Sequence, residues 1–326
     1  LRQVKPEQFI LSFEKNMRRS EIIRIYIYNM RLLFSLLLVW IVNDSLLAQA
    51  YPEAIIFHFQ SDHTPFPDSS RSNGHTGNHV FYNTADHYND NHVLVIAPKN
   101  LDAGKKVDLI FWFHGWHNNI DSAAAYYQLT KQFLSSGMNA VLVLPEAAKD
   151  AADSYGGKLE KAGVFSAFVK DVLLQLKDKK LIGPHCEPGH ILLGGHSGGG
   201  EVISCIVKNG QIEINEVVLF DALYGGTEKF MAWIKADTSH RFIHLYTDYG
   251  FGPKDESQKM TAQLKQERIP FFETEESALT SKEIRNERLV FIHSKSQHND
   301  IIFNPDNFKL LFGNSPLITT VTNPSF

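Results

Sequence analysis

Short, nearly continuous apolar runs recur from Val93 to Ile292, separated by longer stretches in which apolar residues return every three or four positions. The runs are 93–97 (VLVIA), 107–113 (VDLIFWF), 140–144 (AVLVL), 190–194 (HILLG), 216–220 (EVVLF), 242–246 (FIHLY) and 289–292 (LVFI). Strands covered on both faces look like this, and they belong to parallel sheets enclosed by helices. The stretches between them read as helices. Ser122 to Ser136 follows the N-cap candidate Asp121, and Phe165 to Leu176 sets Phe165, Phe168, Val169, Val172, Leu173 and Leu176 on one face. Gly199 to Lys208, Lys229 to Lys235 and Ser257 to Gln266 follow. Such alternation predicts an α/β protein built on one doubly wound, mostly parallel sheet. No repeat, linker or low-complexity run divides residues 51–326, so a single domain is expected there. The Gly-, Asn-, Ser- and Pro-rich stretch before Val93 predicts an antiparallel edge region with long loops.

The first fifty residues have a different pattern. Leu32 to Val42 (LLFSLLLVWIV) is an eleven-residue run broken only by Ser35, preceded by Met30-Arg31 and followed by Ala48-Gln49-Ala50. A charged start, a short apolar core and small residues two apart predict a secretory signal peptide cut after Ala50. The run falls short of the roughly 18 apolar residues a membrane span needs, so no stable membrane insertion is expected after cleavage. Met17 and Met30 could each start translation, which makes the stretch before Met30 a candidate extension without structural meaning. A secreted or periplasmic location follows as an expectation.

Composition narrows the class further. The 326 residues include two Cys, 21 Gly and 13 Pro, with 43% hydrophobic and 12% aromatic content. These values exclude a disulfide scaffold, a collagen-like chain and a disordered one. Residues 1–50 carry seven of the 32 basic and four of the 36 acidic residues, leaving the remainder at a net charge of -7. That balance supplies no electrostatic case for a nucleic-acid partner. Export permits a disulfide between Cys186 and Cys205, but their contexts differ, a Pro-rich loop and an apolar helical pattern. Two separate thiols are the simpler expectation.

The segment from His190 to Gly200 is an apolar strand that runs into glycines and then a helical pattern, and within it Gly195-His196-Ser197-Gly198-Gly199 matches G-x-S-x-G. A serine on a sharp strand-to-helix turn stands above the end of the sheet. The strained turn requires tiny neighbours, and the helix that follows aims its unpaired N–H groups at the reaction centre. A glycine-rich phosphate loop is the rival reading, but neither G-x-G-x-x-G nor a G-K-[ST] ending fits.

On these residues the chain resembles the α/β-hydrolase fold superfamily, in its secreted esterase and lipase-like branch. The resemblance covers nearly all of residues 51–326 in strand–helix order and is specific at the elbow. It implies a Ser–acid–His triad in that chain order and an oxyanion hole at the end of an earlier strand. The pair His114-Gly115, after the run ending at Phe113, sits where similar hydrolases turn the chain to present a backbone N–H. Carried onto this sequence, the hole is the N–H groups of Trp116 and Gly198, with His114 structural.

The general base has to be a histidine presented from a loop. His298, beyond the last apolar run, meets that requirement; His293 lies within the run, and His196 is too close to Ser197 to fold back onto it. Two carboxylates compete to orient the base. Asp248 follows the run FIHLYT at the commonest place for the acid in this fold. Asp221 ends the preceding run among apolar neighbours, as in some lipases, and suits a buried carboxylate.

No cofactor or metal is expected. Six histidines (His58, His63, His75, His79, His87 and His92) crowd the region before Val93, yet no helical pair at metal-ligand spacing occurs among them. About twenty residues separate Asp221 from Arg241, too few for a large cap domain, whereas residues 146–163 form the longer insertion. An open cleft follows, and Trp112, Trp116, Tyr155 and Tyr224 are candidates to stack on a sugar or aryl group. The expected activity is that of a serine hydrolase cleaving a small-molecule or polymer-borne carboxylic ester through an acyl-enzyme. A peptidase or amidase on the same fold, and a binding protein that has lost catalysis, stay open as alternatives.

Overall fold

The computed structural model describes residues 49–248 and 252–321, and the expected signal peptide lies outside those residues but for its last two. The described residues from Tyr51 onward form one compact unit. Its strands are β1 (Ala54–Gln60), β2 (His75–Gly77), β3 (Val80–Tyr82), β4 (His92–Pro98), β5 (Lys106–Phe113), β6 (Ala140–Pro145), β7 (Glu187–His196), β8 (Glu216–Phe220), β9 (Arg241–Thr247), β10 (Phe272–Glu275) and β11 (Leu289–Ser294). Nine of them make one sheet in the order β1-β4-β6-β5-β7-β8-β9-β11-β10, and β2 and β3 form a separate hairpin. The six strands from β6 to β11 in that order, with β10 at the edge, are parallel; β4 runs antiparallel to both its neighbours, β1 and β6.

Every apolar run noted in the sequence is a strand. β6 and β8 are buried at every position, and β4, β5 and β7 become so after their first few residues. Helices pack over the sheet through one apolar stripe each. Val164–Asp178 buries Phe165, Phe168, Val169, Val172, Leu173 and Leu176, and each such side chain contributes about 1.5–3 kcal/mol through removal from water. Two details depart from the sequence reading. The run 93–97 is antiparallel to β6 rather than part of the parallel set. The stretch 122–136 is two helices, Ile120–Tyr126 and Leu129–Ser136, broken where Gln128 turns left-handed at φ 51°.

The topology gathers chemistry at one edge. β5, β7, β8, β9 and β11 are parallel, so the residues after Phe113, His196, Phe220, Thr247 and Ser294 all emerge at the carboxyl ends of the strands, where open α/β sheets place their ligands. One helix, Thr227–Ala236, intervenes between Asp221 and β9. Among the described residues no helix is long and apolar enough to cross a membrane. Cys186 and Cys205 are both buried free thiols.

Candidate active site

Ser197 leaves β7 in a left-handed conformation, φ 53°, uncommon and strained for a residue with a side chain. Its N–H donates to Phe220 O at 3.2 Å, which ties the turn to the end of β8. The surrounding glycines are there for lack of room. A Cβ at Gly199 would lie 2.4 Å from Phe113 O, and one at Gly200 would lie 1.8 Å from Ala222 O. Gly115 is the most telling, because a Cβ there would sit 2.6 Å from Ser197 Cβ and 3.2 Å from Ser197 Oγ. The His114-Gly115 turn therefore backs directly onto the serine.

His114 is buried and makes contacts through both ring nitrogens: Nδ1–H donates to Gly115 O at 2.8 Å, and Nε2 lies 2.8 Å from Glu146 Oε1. Burial alone would lower its pKa, but the Glu146 carboxylate outweighs that and raises it. In a planar trans peptide the C=O and N–H point in opposite directions. Holding Gly115 O against His114 thus turns the Trp116 N–H away from His114. Neither the Trp116 nor the Gly198 backbone N–H donates to a protein acceptor among the described residues. The Trp116 indole covers Gly198, where a Cβ would lie 2.9 Å from Trp116 Cδ1, and its Nε1–H donates to Ser154 Oγ at 2.7 Å.

Of the two carboxylates, Asp221 is the one that meets His298. Its Oδ2 lies 2.7 Å from His298 Nδ1 and accepts the Thr247 hydroxyl at 2.7 Å, while Oδ1 accepts the Thr247 N–H at 2.9 Å. Asp221 is completely buried and, like Ser197, left-handed at φ 47°. Burial by itself would raise its pKa, but the hydrogen bonds from His298 and Thr247 prevail and lower it, so it stays ionised. Asp248 is displaced from this contact. Its half-exposed carboxylate pairs with Lys254 and lies 3.0 Å from His293 Nε2. The strand favoured for the acid contributes Thr247 instead, whose hydroxyl holds the carboxylate of its neighbour strand.

His196 is buried beside His298, with its Nδ1 3.0 Å from the Tyr127 hydroxyl, and His293 sits against Asp248 and Glu275. Ser197, His196, His298, Asn299, Trp116, His117, Asn118, Ser122, Tyr126, Tyr127 and Tyr224 line one open cleft of about 560 Å³. Of the four aromatics expected at its rim, Trp116 and Tyr224 are exposed there. Trp112 is buried between Phe220 and Phe308, and Tyr155 packs on Phe66 beneath Arg71. Tyr126, absent from the sequence reading, joins the rim because the helix breaks just beyond it. A groove of similar size, bounded by Arg285, Lys309 and Asn314, contains no nucleophile with a base. Three of the histidines before Val93 have separate carboxylate partners, His58 with Asp121, His63 with Asp171 and His92 with Asp90. No group of three or more His, Cys, Asp or Glu able to hold a metal occurs among the described residues.

The fold is shared with solved structures. A ferulic acid esterase superposes with a TM-score of 0.51 at 13% identity, covering 69% of this chain and 92% of that one. The chain has the α/β-hydrolase fold. Two further similar structures are the fluorophosphonate-binding serine hydrolase F of Staphylococcus aureus (TM-score 0.48, 9% identity, 80% of this chain and 98% of that one) and the feruloyl esterase module of Clostridium thermocellum complexed with sinapinate (0.49, 12%, 84% and 93%). No protein-family model matches the sequence, and no curated protein does.

Proposed function

We propose that this α/β-hydrolase-fold protein is a serine hydrolase that cleaves a carboxylic ester through an acyl-enzyme. The observation that carries the reading is the Asp221–His298 contact at 2.7 Å, made across 77 positions of sequence at the same sheet edge as the strained serine. Such a pairing has an obvious use beside a nucleophile. With Nδ1–H committed to Asp221, the basic lone pair of His298 is on Nε2, the tautomer that removes a proton from a serine hydroxyl. Ser197 Oγ attacks the acyl carbon and its proton passes to Nε2, which returns it to the departing alcohol. Water then repeats the sequence on the acyl-enzyme with the same base. The Trp116 and Gly198 N–H groups receive the oxyanion, aided by the N-terminus of the helix Gly199–Asn209. His114, held by Glu146, keeps the first of these donors in position.

The open cleft admits a small ester or one carried on a polymer, and the signal-like leader supports an exported enzyme. A fluorophosphonate probe should label the wild-type protein and leave Ser197→Ala unlabelled. Folded wild-type protein that resists the probe would refute the reading. Hydrolysis of short p-nitrophenyl esters well ahead of peptide anilides is expected, and the reverse ranking would make the protein a peptidase or amidase.

A further inference from the structure

The residue between the elbow glycine and the serine has no part in the proton transfers above, yet it is among the most elaborately held in the molecule. The His196 ring is buried; its Nε2 lies 2.9 Å from the backbone carbonyl of His298, and its Nδ1 lies 3.0 Å from the Tyr127 hydroxyl. The chemistry of the partners fixes the tautomer. A carbonyl only accepts, so Nε2 carries the hydrogen, and Nδ1 accepts from the Tyr127 O–H. The two imidazoles lie against each other with centroids 4.4 Å apart and planes tilted by 37°.

The same wall holds the rest of the returning segment. Gln132, also buried, donates from Nε2 to Tyr127 O at 2.8 Å and to Ile302 O at 3.2 Å, and its Oε1 accepts the Lys309 N–H at 3.1 Å. Tyr127 and Gln132 flank the helix break at Gln128. This buried polar network ties the segment after His298 to the elbow, and buried polar groups are costly unless fully paired.

We propose that His196 is a positioning residue, a neutral clamp that fixes the backbone of His298 while Asp221 fixes its ring. The inference rests on the serine-hydrolase reading. Two attachments, one to the ring and one to the main chain of the same residue, leave the imidazole little freedom to rotate away from Ser197. Burial and the neighbouring His298 lower the pKa of His196 to about 3, which keeps the clamp uncharged beside the imidazolium that forms during turnover.

The test compares His196→Leu, His196→Gln and Tyr127→Phe by p-nitrophenyl ester kinetics and the rate of fluorophosphonate inactivation, with folding followed by circular dichroism. His196→Leu should lower kcat and the inactivation rate about 10- to 100-fold, the scale of a small misplacement of a catalytic group, with KM within about threefold. His196→Gln, whose amide N–H can reach the same carbonyl, should recover most of that loss. Tyr127→Phe should cost kcat about three- to tenfold. A folded His196→Leu protein with wild-type kcat overturns the clamp, as does a loss that glutamine fails to rescue. Should His196→Leu not fold, Tyr127→Phe decides, and wild-type kcat in that variant also overturns the inference. Wild-type protein inert to probe and ester would instead remove the underlying reading, a result distinct from a reactive wild type matched by its His196 variants.

Discussion

Replacing Asp221 by asparagine separates the two carboxylates that competed for one role. The native carboxylate accepts three hydrogen bonds, from Thr247 N–H, Thr247 O–H and His298 Nδ1–H, at 2.7 to 2.9 Å. An amide has one oxygen where the carboxylate has two. If that oxygen stays with Thr247, the NH2 group faces Nδ1, and His298 has to move its hydrogen to Nε2 to accept the contact. Nε2 would then be a donor, and the base would be lost. In a serine protease the same exchange lowers kcat about 10⁴-fold, and a loss of about 10³- to 10⁴-fold is expected here. Stability should also fall, because hydrogen bonds to a charged group contribute about 1.5–3 kcal/mol each. A net cost of about 2–3 kcal/mol would lower Tm by roughly 5–10 °C. The assay is kcat on a p-nitrophenyl ester beside the melting curve. Asp248→Asn, which disturbs the surface pairs with Lys254 and His293, should keep kcat within about twofold. An Asp221→Asn enzyme within tenfold of wild type, or an Asp248→Asn enzyme reduced a thousandfold, would refute the assignment.

Gly115→Ala would force a methyl group to 2.6 Å from Ser197 Cβ; it should cost about 1–3 kcal/mol in denaturant titration and about 100-fold in kcat, and unchanged kinetics would mean that the turn does not abut the serine. Burial lowers His196 and His244 from 6.5 to about 3, so below pH 6.5 the unfolded chain binds protons that the folded chain refuses. Stability should therefore fall as pH drops from 6.5 towards 3, by up to about 1.4 kcal/mol per unit for each group. Urea midpoints measured at pH 7 and pH 5 check this, and equal midpoints would contradict it. Ellman's reagent should find two thiols in unreduced, denatured protein and almost none in the native state, because Cys186 and Cys205 are free and buried; no thiol on denaturation would indicate a disulfide.

The sequence disclosed most where the physics is local. Continuous apolar runs are strands because both faces of a central parallel sheet are covered, and G-x-S-x-G is visible because its steric demands fall on adjacent residues. The choice between Asp221 and Asp248 is different in kind. Both end neighbouring parallel strands, and only the packing of β8 and β9 decides which carboxylate turns inward. The apolar flanks of Asp221 (Phe220, Ala222, Leu223) were a usable signal, as was the nearby Lys254 that draws Asp248 outward. Thr247 and Tyr127 carried no comparable mark: a threonine at a strand end and a tyrosine near a helix break are ordinary until the fold sets each against its partner. The break at Gln128 was equally hidden, since a left-handed glutamine has no pattern of its own.

The central claim is that Ser197 carries the acyl group in turnover. Rapid acid quench during hydrolysis of a p-nitrophenyl ester, followed by intact-mass and peptide mass spectrometry, tests it directly. One acyl group per chain, on the peptide containing Ser197 and absent from Ser197→Ala, is the predicted result. Steady hydrolysis with no adduct, or an adduct on another residue, would contradict it.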